Sequence, residues 1–158
     1  ITSAILRQLL EAEIKPATMT LTMQQAVAER ILNQDDKLSL LSLSVQLYGE
    51  ARIIGHIPST CFYPQPEVDS SLLIIDLYEQ PRLSGEGIDC LFTLAHAAFN
   101  QKRKMLRNSL KPVLGDNFDT IFTDMASTGI DLRRRPENLT LPEWIQLAEV
   151  YLAHSKKT

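Results

Sequence analysis

The run Ser71-Leu72-Leu73-Ile74-Ile75-Asp76-Leu77 limits the fold more than any other stretch of the chain. It follows Phe62-Tyr63-Pro64-Gln65-Pro66-Glu67-Val68-Asp69-Ser70, in which two prolines stand two apart. Proline fixes φ and disfavours helix in the residue before it. The apolar run is therefore entered from a stiff, extended segment and reads as a strand over Ser71 to Tyr78. Its nearly continuous apolar character predicts burial on both faces.

Two further strands are predicted. One covers Ala17-Thr18-Met19-Thr20-Leu21-Thr22-Met23, where threonine alternates with apolar residues, and the other runs from Arg52 to Ile57 and is stopped by Pro58. Helices are predicted over residues 2–12, with Thr2 or Ser3 as cap and Ile5, Leu6, Leu9 and Leu10 on one face, and over Gln24 to Leu32, with Val27, Ala28 and Ile31 on one face. A polar loop, Asn33-Gln34-Asp35-Asp36-Lys37, precedes a helix over Leu41 to Tyr48 that ends near Gly49. Strands alternating with helices indicate an α/β sheet. Beyond Gln80 no strand is evident. Ile88 to Leu110 reads as a long helix with room for one break, and Phe118 to Thr128 as another, closed by Gly129. Thr140-Leu141-Pro142-Glu143 is a capping box that leads into an apolar stripe of Trp144, Leu147, Ala148, Tyr151 and Leu152. The expected organisation is an α/β portion over 1–80, a linker over 81–87 and a small all-helical domain over 88–158.

Composition excludes several function classes. The chain has 158 residues, 44% of them hydrophobic, enough to build a core. A formal net charge of −3 argues against coating nucleic acid with the whole surface and leaves room for a local basic patch. Two cysteines, Cys61 and Cys90, make no disulfide framework and suit a reducing, cytoplasmic compartment. No apolar run approaches the ~20 residues of a membrane span. Ile1 is not an initiator methionine and three strands are few for such a sheet, so a piece of a longer or processed protein is expected. No metal site is expected: Cys90 and His96 do not face each other on a helix, and His56 and His154 have no partner of the right type nearby in sequence. No GxGxxG or phosphate loop is present.

Three features bear on chemistry. Phe62 stands at the mouth of the buried strand, where a rigid aromatic can hold a nucleobase by stacking or simply cover the core. Asn100-Gln101-Lys102-Arg103-Lys104-Met105-Leu106-Arg107-Asn108-Ser109-Leu110-Lys111 has five basic residues and no acid. On a continuous helix at ~100° per residue, Arg103, Lys104, Arg107 and Lys111 fall within one arc, while Ala95, Ala98, Phe99, Leu106 and Leu110 lie on the adjoining face. Such a ridge either contacts phosphates or is a solvated face. In Arg133-Arg134-Arg135-Pro136, an arginine can reach a phosphate or pair with Asp131 or Glu137 to hold the turn; a mixed role is expected.

Taken in order, these stretches resemble the rRNA adenine N6,N6-dimethyltransferase family, which dimethylates two adjacent adenosines near the 3′ end of small-subunit rRNA. The resemblance is carried by Met19 to Ile31, by Leu41-Ser42-Leu43-Ser44-Val45-Gln46, by the Phe62 to Ser70 cassette, by Phe99 to Leu110, by Gly129-Ile130-Asp131 and by Arg135 to Thr140. It departs at Leu38-Ser39, where the family often has Tyr-Gly.

The resemblance implies the C-terminal portion of a Rossmann-like, S-adenosylmethionine-dependent methyltransferase sheet followed by a small all-α domain. It implies that the family's glycine-rich cofactor loop and Asn-Leu-Pro-Tyr motif precede Ile1, so that no cofactor-binding residue lies in this chain and the chain alone is expected to be inactive. By motif position Phe62 stacks on the target adenine, opposite a tyrosine of that motif, and Tyr63 is expected to pack against the domain. Lys102, Arg103, Lys104, Arg107, Lys111, Arg133 and Arg134 are the expected rRNA contacts, the partner is small-subunit rRNA in a pre-30S-type particle, and a monomer is expected. Two other readings stand beside this one: a non-catalytic RNA-binding or ribosome-assembly module, and the related family that methylates large-subunit rRNA.

Overall fold

A computed structural model of the chain describes residues 2–10, 12, 14–32, 37–83 and 85–156. The predicted polar loop at 33–36 and the capping side chains of Thr2 and Ser3 lie outside what is described. The chain forms two compact units, one ending at Arg82 and the other beginning at Leu83.

The first unit contains helix α1 (Thr2–Leu10), strand β1 (Thr18–Gln24), helices α2 (Gln25–Leu32) and α3 (Leu40–Tyr48), and strands β2 (Gly49–Ile57) and β3 (Ser70–Leu77). The three strands form an antiparallel sheet in the order β1-β3-β2, with Leu73 opposite Leu21 on one side and Ile53 on the other. The most apolar strand is thus the central one. Ser71, Leu73 and Ile75 are buried, whereas Leu72 and Ile74 on the other face are only half-buried, so the expected burial on both faces holds for one. On the open face Asp76 ties the strands together: it accepts a hydrogen bond from Thr18 Oγ1 at 3.0 Å and pairs with Arg52 at 2.9 Å.

β2 begins at Gly49, three residues earlier than predicted, and bulges between Ile53 and Gly55. Ser39, at the family departure, caps α3: its hydroxyl accepts the Ser42 N–H, and Ser42 Oγ accepts the Ser39 N–H. Leu6 and Leu10 of α1 and Ala28 and Ile31 of α2 are buried, while Ile5, predicted on the same face as Leu6, is exposed.

The second unit is helical: α4 (Gly85–Phe99), α5 (Leu106–Leu114), α6 (Phe118–Ser127) and α7 (Leu141–Ser155). α4 starts inside the expected linker, so Gly85, Glu86 and Gly87 form its first turn. Gly87 is buried, and a Cβ there would stand 2.7 Å from Leu83 Cγ, which explains a glycine at a helical position. α6 is closed by Gly129 at φ 85°, a left-handed conformation that favours glycine. The predicted capping box is present: Glu143 Oε2 accepts the Thr140 N–H at 2.7 Å while Thr140 Oγ1 faces the Glu143 N–H. α4 packs against α5 and α7, with Trp144 fully buried and stacked on Phe99 at 5.7 Å between ring centroids.

Candidate nucleic-acid interface

The cassette forms a loop between β2 and β3 in which every residue from Cys61 to Val68 is exposed. Pro58 and a 3₁₀ turn at Ser59–Cys61 start it, and Phe62 follows in an extended conformation (φ −113°, ψ 151°). The Tyr63–Pro64 peptide bond is cis. Phe62 is 37% exposed, so part of its ring is covered and part is available. Tyr63 is fully exposed, against the expectation that it packs on the domain: neighbouring residues of an extended backbone point to opposite sides.

The loop is fastened by Asp69. Its Oδ1 accepts the Ser59 N–H at 2.8 Å, its Oδ2 faces His56 Nε2 at 3.3 Å, and its carbonyl accepts the Gln25 N–H at 3.0 Å. The Ser59 N–H, aided by His56, holds the Asp69 carboxyl below its ordinary value against the opposing effect of desolvation. His56 thus has a carboxylate partner in space, thirteen residues away in sequence. His154 also has one, Asp124 Oδ2 at 2.7 Å. Nothing in the sequence pattern marks Ser59, Asp69 and His56 as a unit.

The basic segment departs from a continuous helix. α4 ends at Phe99 and α5 starts at Leu106, so Lys102, Arg103 and Lys104 lie on a turn, and only Arg107 and Lys111 share a helix. The predicted single arc of four cations is therefore not formed. The break has a tertiary cause: the Leu106 N–H donates to the Arg134 carbonyl at 2.9 Å and the Arg107 N–H to the Leu132 carbonyl at 3.0 Å, which fixes where α5 begins. Phe99, Asn100, Gln101, Lys102, Arg103 and Lys104 line an open hollow of about 590 Å³ with no carboxylate in its wall. Among the described residues these three cations make no ion pair. Arg107 lies over Phe122 (4.9 Å to the ring centroid) and Lys111 over Phe118 (5.9 Å), and these two rings stack at 5.2 Å.

Two arginines of the cluster hold carboxylates, the structural half of the mixed role expected of it. Arg133 pairs with Asp131 at 3.0 Å, and Arg134 pairs with Glu143 at 2.5 Å and donates to the Asn138 carbonyl. Burial raises the Glu143 pKa, but hydrogen bonds from the Thr140 backbone and Arg134 outweigh it, and the net shift is downward. Among the described residues no group of three or more His, Cys, Asp or Glu is placed to hold a metal ion.

A model of the ribosomal RNA adenine dimethylase family matches residues 1–152. The chain belongs to this family. Relatives include "Ribosomal RNA small subunit methyltransferase A" of Dehalococcoides mccartyi (38% identical over 151 residues, covering 96% of the chain and 52% of the relative) and of Oceanobacillus iheyensis (33% over 161 residues, 99% and 55%). The chain thus spans about half the length of the curated relatives it matches. Among solved structures, a dimethyladenosine transferase from Plasmodium falciparum shares the fold at a TM-score of 0.79 and 22% identity, covering 99% of the chain and 64% of that protein. The 23S rRNA methyltransferase ErmE does so at 0.70 and 21%, covering 95% and 60%. The dimethylase fold expected from the sequence, a Rossmann-like methyltransferase sheet followed by helices, is the fold observed.

Proposed function

We propose that this chain is the part of an S-adenosylmethionine-dependent methyltransferase that receives the target adenine and holds the rRNA, the substrate being N6 of two adjacent adenosines near the 3′ end of small-subunit rRNA. Family membership and the names of the relatives support the reaction class. The relatives described are named for the small subunit, which favours it over the large-subunit alternative. The observation that carries the reading is the Phe62 ring: its backbone is tied into a fastened loop, and part of its face is open.

An enzyme that acts on a base takes it out of its stack. Phe62 replaces part of the lost stacking with a flat apolar face and so holds the ring without reading its edge. The three cations on the 100–104 turn, with Arg107 and Lys111 on α5, would take phosphates and position the RNA by shape. Arg133 and Arg134 contribute less, because their guanidinium groups are engaged by Asp131 and Glu143.

Among the described residues β1 passes into α2 at Gln24-Gln25 without a glycine, so that strand-to-helix turn offers no glycine cradle for S-adenosylmethionine. The role argued for these residues is confined to the substrate. On this reading the protein meets pre-30S-type particles as a monomer in the cytoplasm; among the described residues no helix is long and apolar enough to cross a membrane.

In an enzyme that contains this chain together with a cofactor-binding half, Phe62→Ala is expected to lower methyl transfer about 10- to 100-fold, the worth of one base–aromatic stack, and to change rRNA affinity less than about twofold. Equal loss in methylation and filter-binding assays would mean that Phe62 is a general RNA contact. Loss of neither would remove Phe62 from the adenine site.

A further inference from the structure

We propose that Asp69 is a positioning residue of the adenine clamp, fixing through Ser59 where the Phe62 ring stands. The inference rests on the reading of Phe62 as the stacking ring.

With residues 61–68 all exposed, burial contributes little to the loop's shape, which is left to the prolines and to polar contacts. Asp69 is the last residue before β3, and its main chain is held where the Gln25 N–H, one of the free donors at the start of α2, meets its carbonyl. From this anchored backbone the carboxylate reaches ten residues back to the Ser59 N–H. Ser59 passes the constraint on. Its carbonyl accepts the Phe62 N–H at 3.2 Å, and its hydroxyl accepts the Gln65 side-chain amide at 3.3 Å. A path of hydrogen bonds thus runs from the sheet through Asp69 and Ser59 to the Phe62 backbone. The lowered Asp69 pKa keeps the carboxylate ionised through the neutral range, so its bond to Ser59 is charge-assisted. A ring fixed before the base arrives spares the ordering of the loop on binding.

The test uses an enzyme that contains this chain together with a cofactor-binding half, a single-stranded RNA oligonucleotide carrying 2-aminopurine, whose fluorescence reports stacking, and amide hydrogen exchange at Ser59 and Phe62 without RNA. Asp69→Ala is expected to speed exchange at both amides and to weaken the stacking response, each about tenfold, while Asp69→Asn, which keeps an oxygen acceptor, recovers most of both. Unchanged exchange at Ser59 and Phe62 in Asp69→Ala overturns the inference whatever the RNA does, as does an asparagine as damaging as alanine. If Asp69→Ala stacks the base like the parent and Phe62→Ala does not, the inference fails and the function stands; if Phe62→Ala stacks like the parent, both fail. Should Asp69→Ala not fold, Ser59→Pro, which removes the donated N–H at the first position of the 3₁₀ turn, decides: parent-like stacking there overturns the proposal.

Discussion

Loop 58–69 of the first unit and turn 100–105 of the second are both exposed, yet they are held in different ways. The loop adds a side chain to its backbone bonds, the Asp69 carboxylate on the Ser59 N–H, and leaves the Phe62 ring partly and the Tyr63 ring fully open. The turn is fastened backbone to backbone, through the bonds of Asn100 to His96, Gln101 to Ala98 and Lys104 to Gln101, so that its three cations need hold nothing. A site that must place one flat ring needs an oriented side chain. A site that meets phosphates needs charge, which acts over several ångströms and tolerates motion. Arg134 shows the opposite use of a cation: it is engaged by Glu143 and the Asn138 carbonyl.

That contrast can be broken at four points. The largest effect is expected from Phe62→Ala, where the loss falls on methyl transfer and spares affinity. Next, replacing Lys102, Arg103 and Lys104 with alanine should weaken RNA binding about tenfold and reduce the slope of log K against log salt by about 2, three single-strand phosphate contacts at ~0.7 each, with the melting temperature unchanged. An unaltered slope in salt titrations would remove the turn from the interface. Arg134→Ala should do the reverse, costing about 1 kcal/mol of stability for a partly exposed pair with little change in salt slope, as thermal melts and binding isotherms would show. The smallest effect is a pH dependence. Because the Glu143 pKa is lowered on folding, its contribution is present above the ordinary value of 4.5 and is lost as pH falls below it towards the folded value. The second unit's melting temperature should therefore drop in that range, and less steeply in Arg134→Ala. An identical acid profile in the variant would mean that Arg134 does not hold the carboxylate.

The elements of regular structure were legible because their signals are local. Threonine alternation marks β1, Pro58 ends β2, and the Thr140 capping box starts α7 where expected. Phe62 was legible through the prolines around it. The break between α4 and α5 was not, since Asn100 to Met105 contains neither glycine nor proline and the partners that end the helix are carbonyls near residue 133. The same holds for Asp69 with Ser59, His56 with Asp69 and His154 with Asp124, each a pair ten or more residues apart. Tyr63 misled for a different reason: a tyrosine beside prolines reads as core, but the extended backbone at Phe62 turns it outward.

The two amide bonds from Leu106 and Arg107 to the 132–134 segment also limit how this surface can vary. They join backbone to backbone, so they do not depend on the charges of Lys102, Arg103 and Lys104, which can change without removing either bond. They are strict about length. A residue inserted or removed between α5 and the 132–134 segment would shift the carbonyls of Leu132 and Arg134 relative to the start of α5, where they meet the Leu106 and Arg107 N–H groups. The basic surface is thus free to drift in charge and closed to change in spacing.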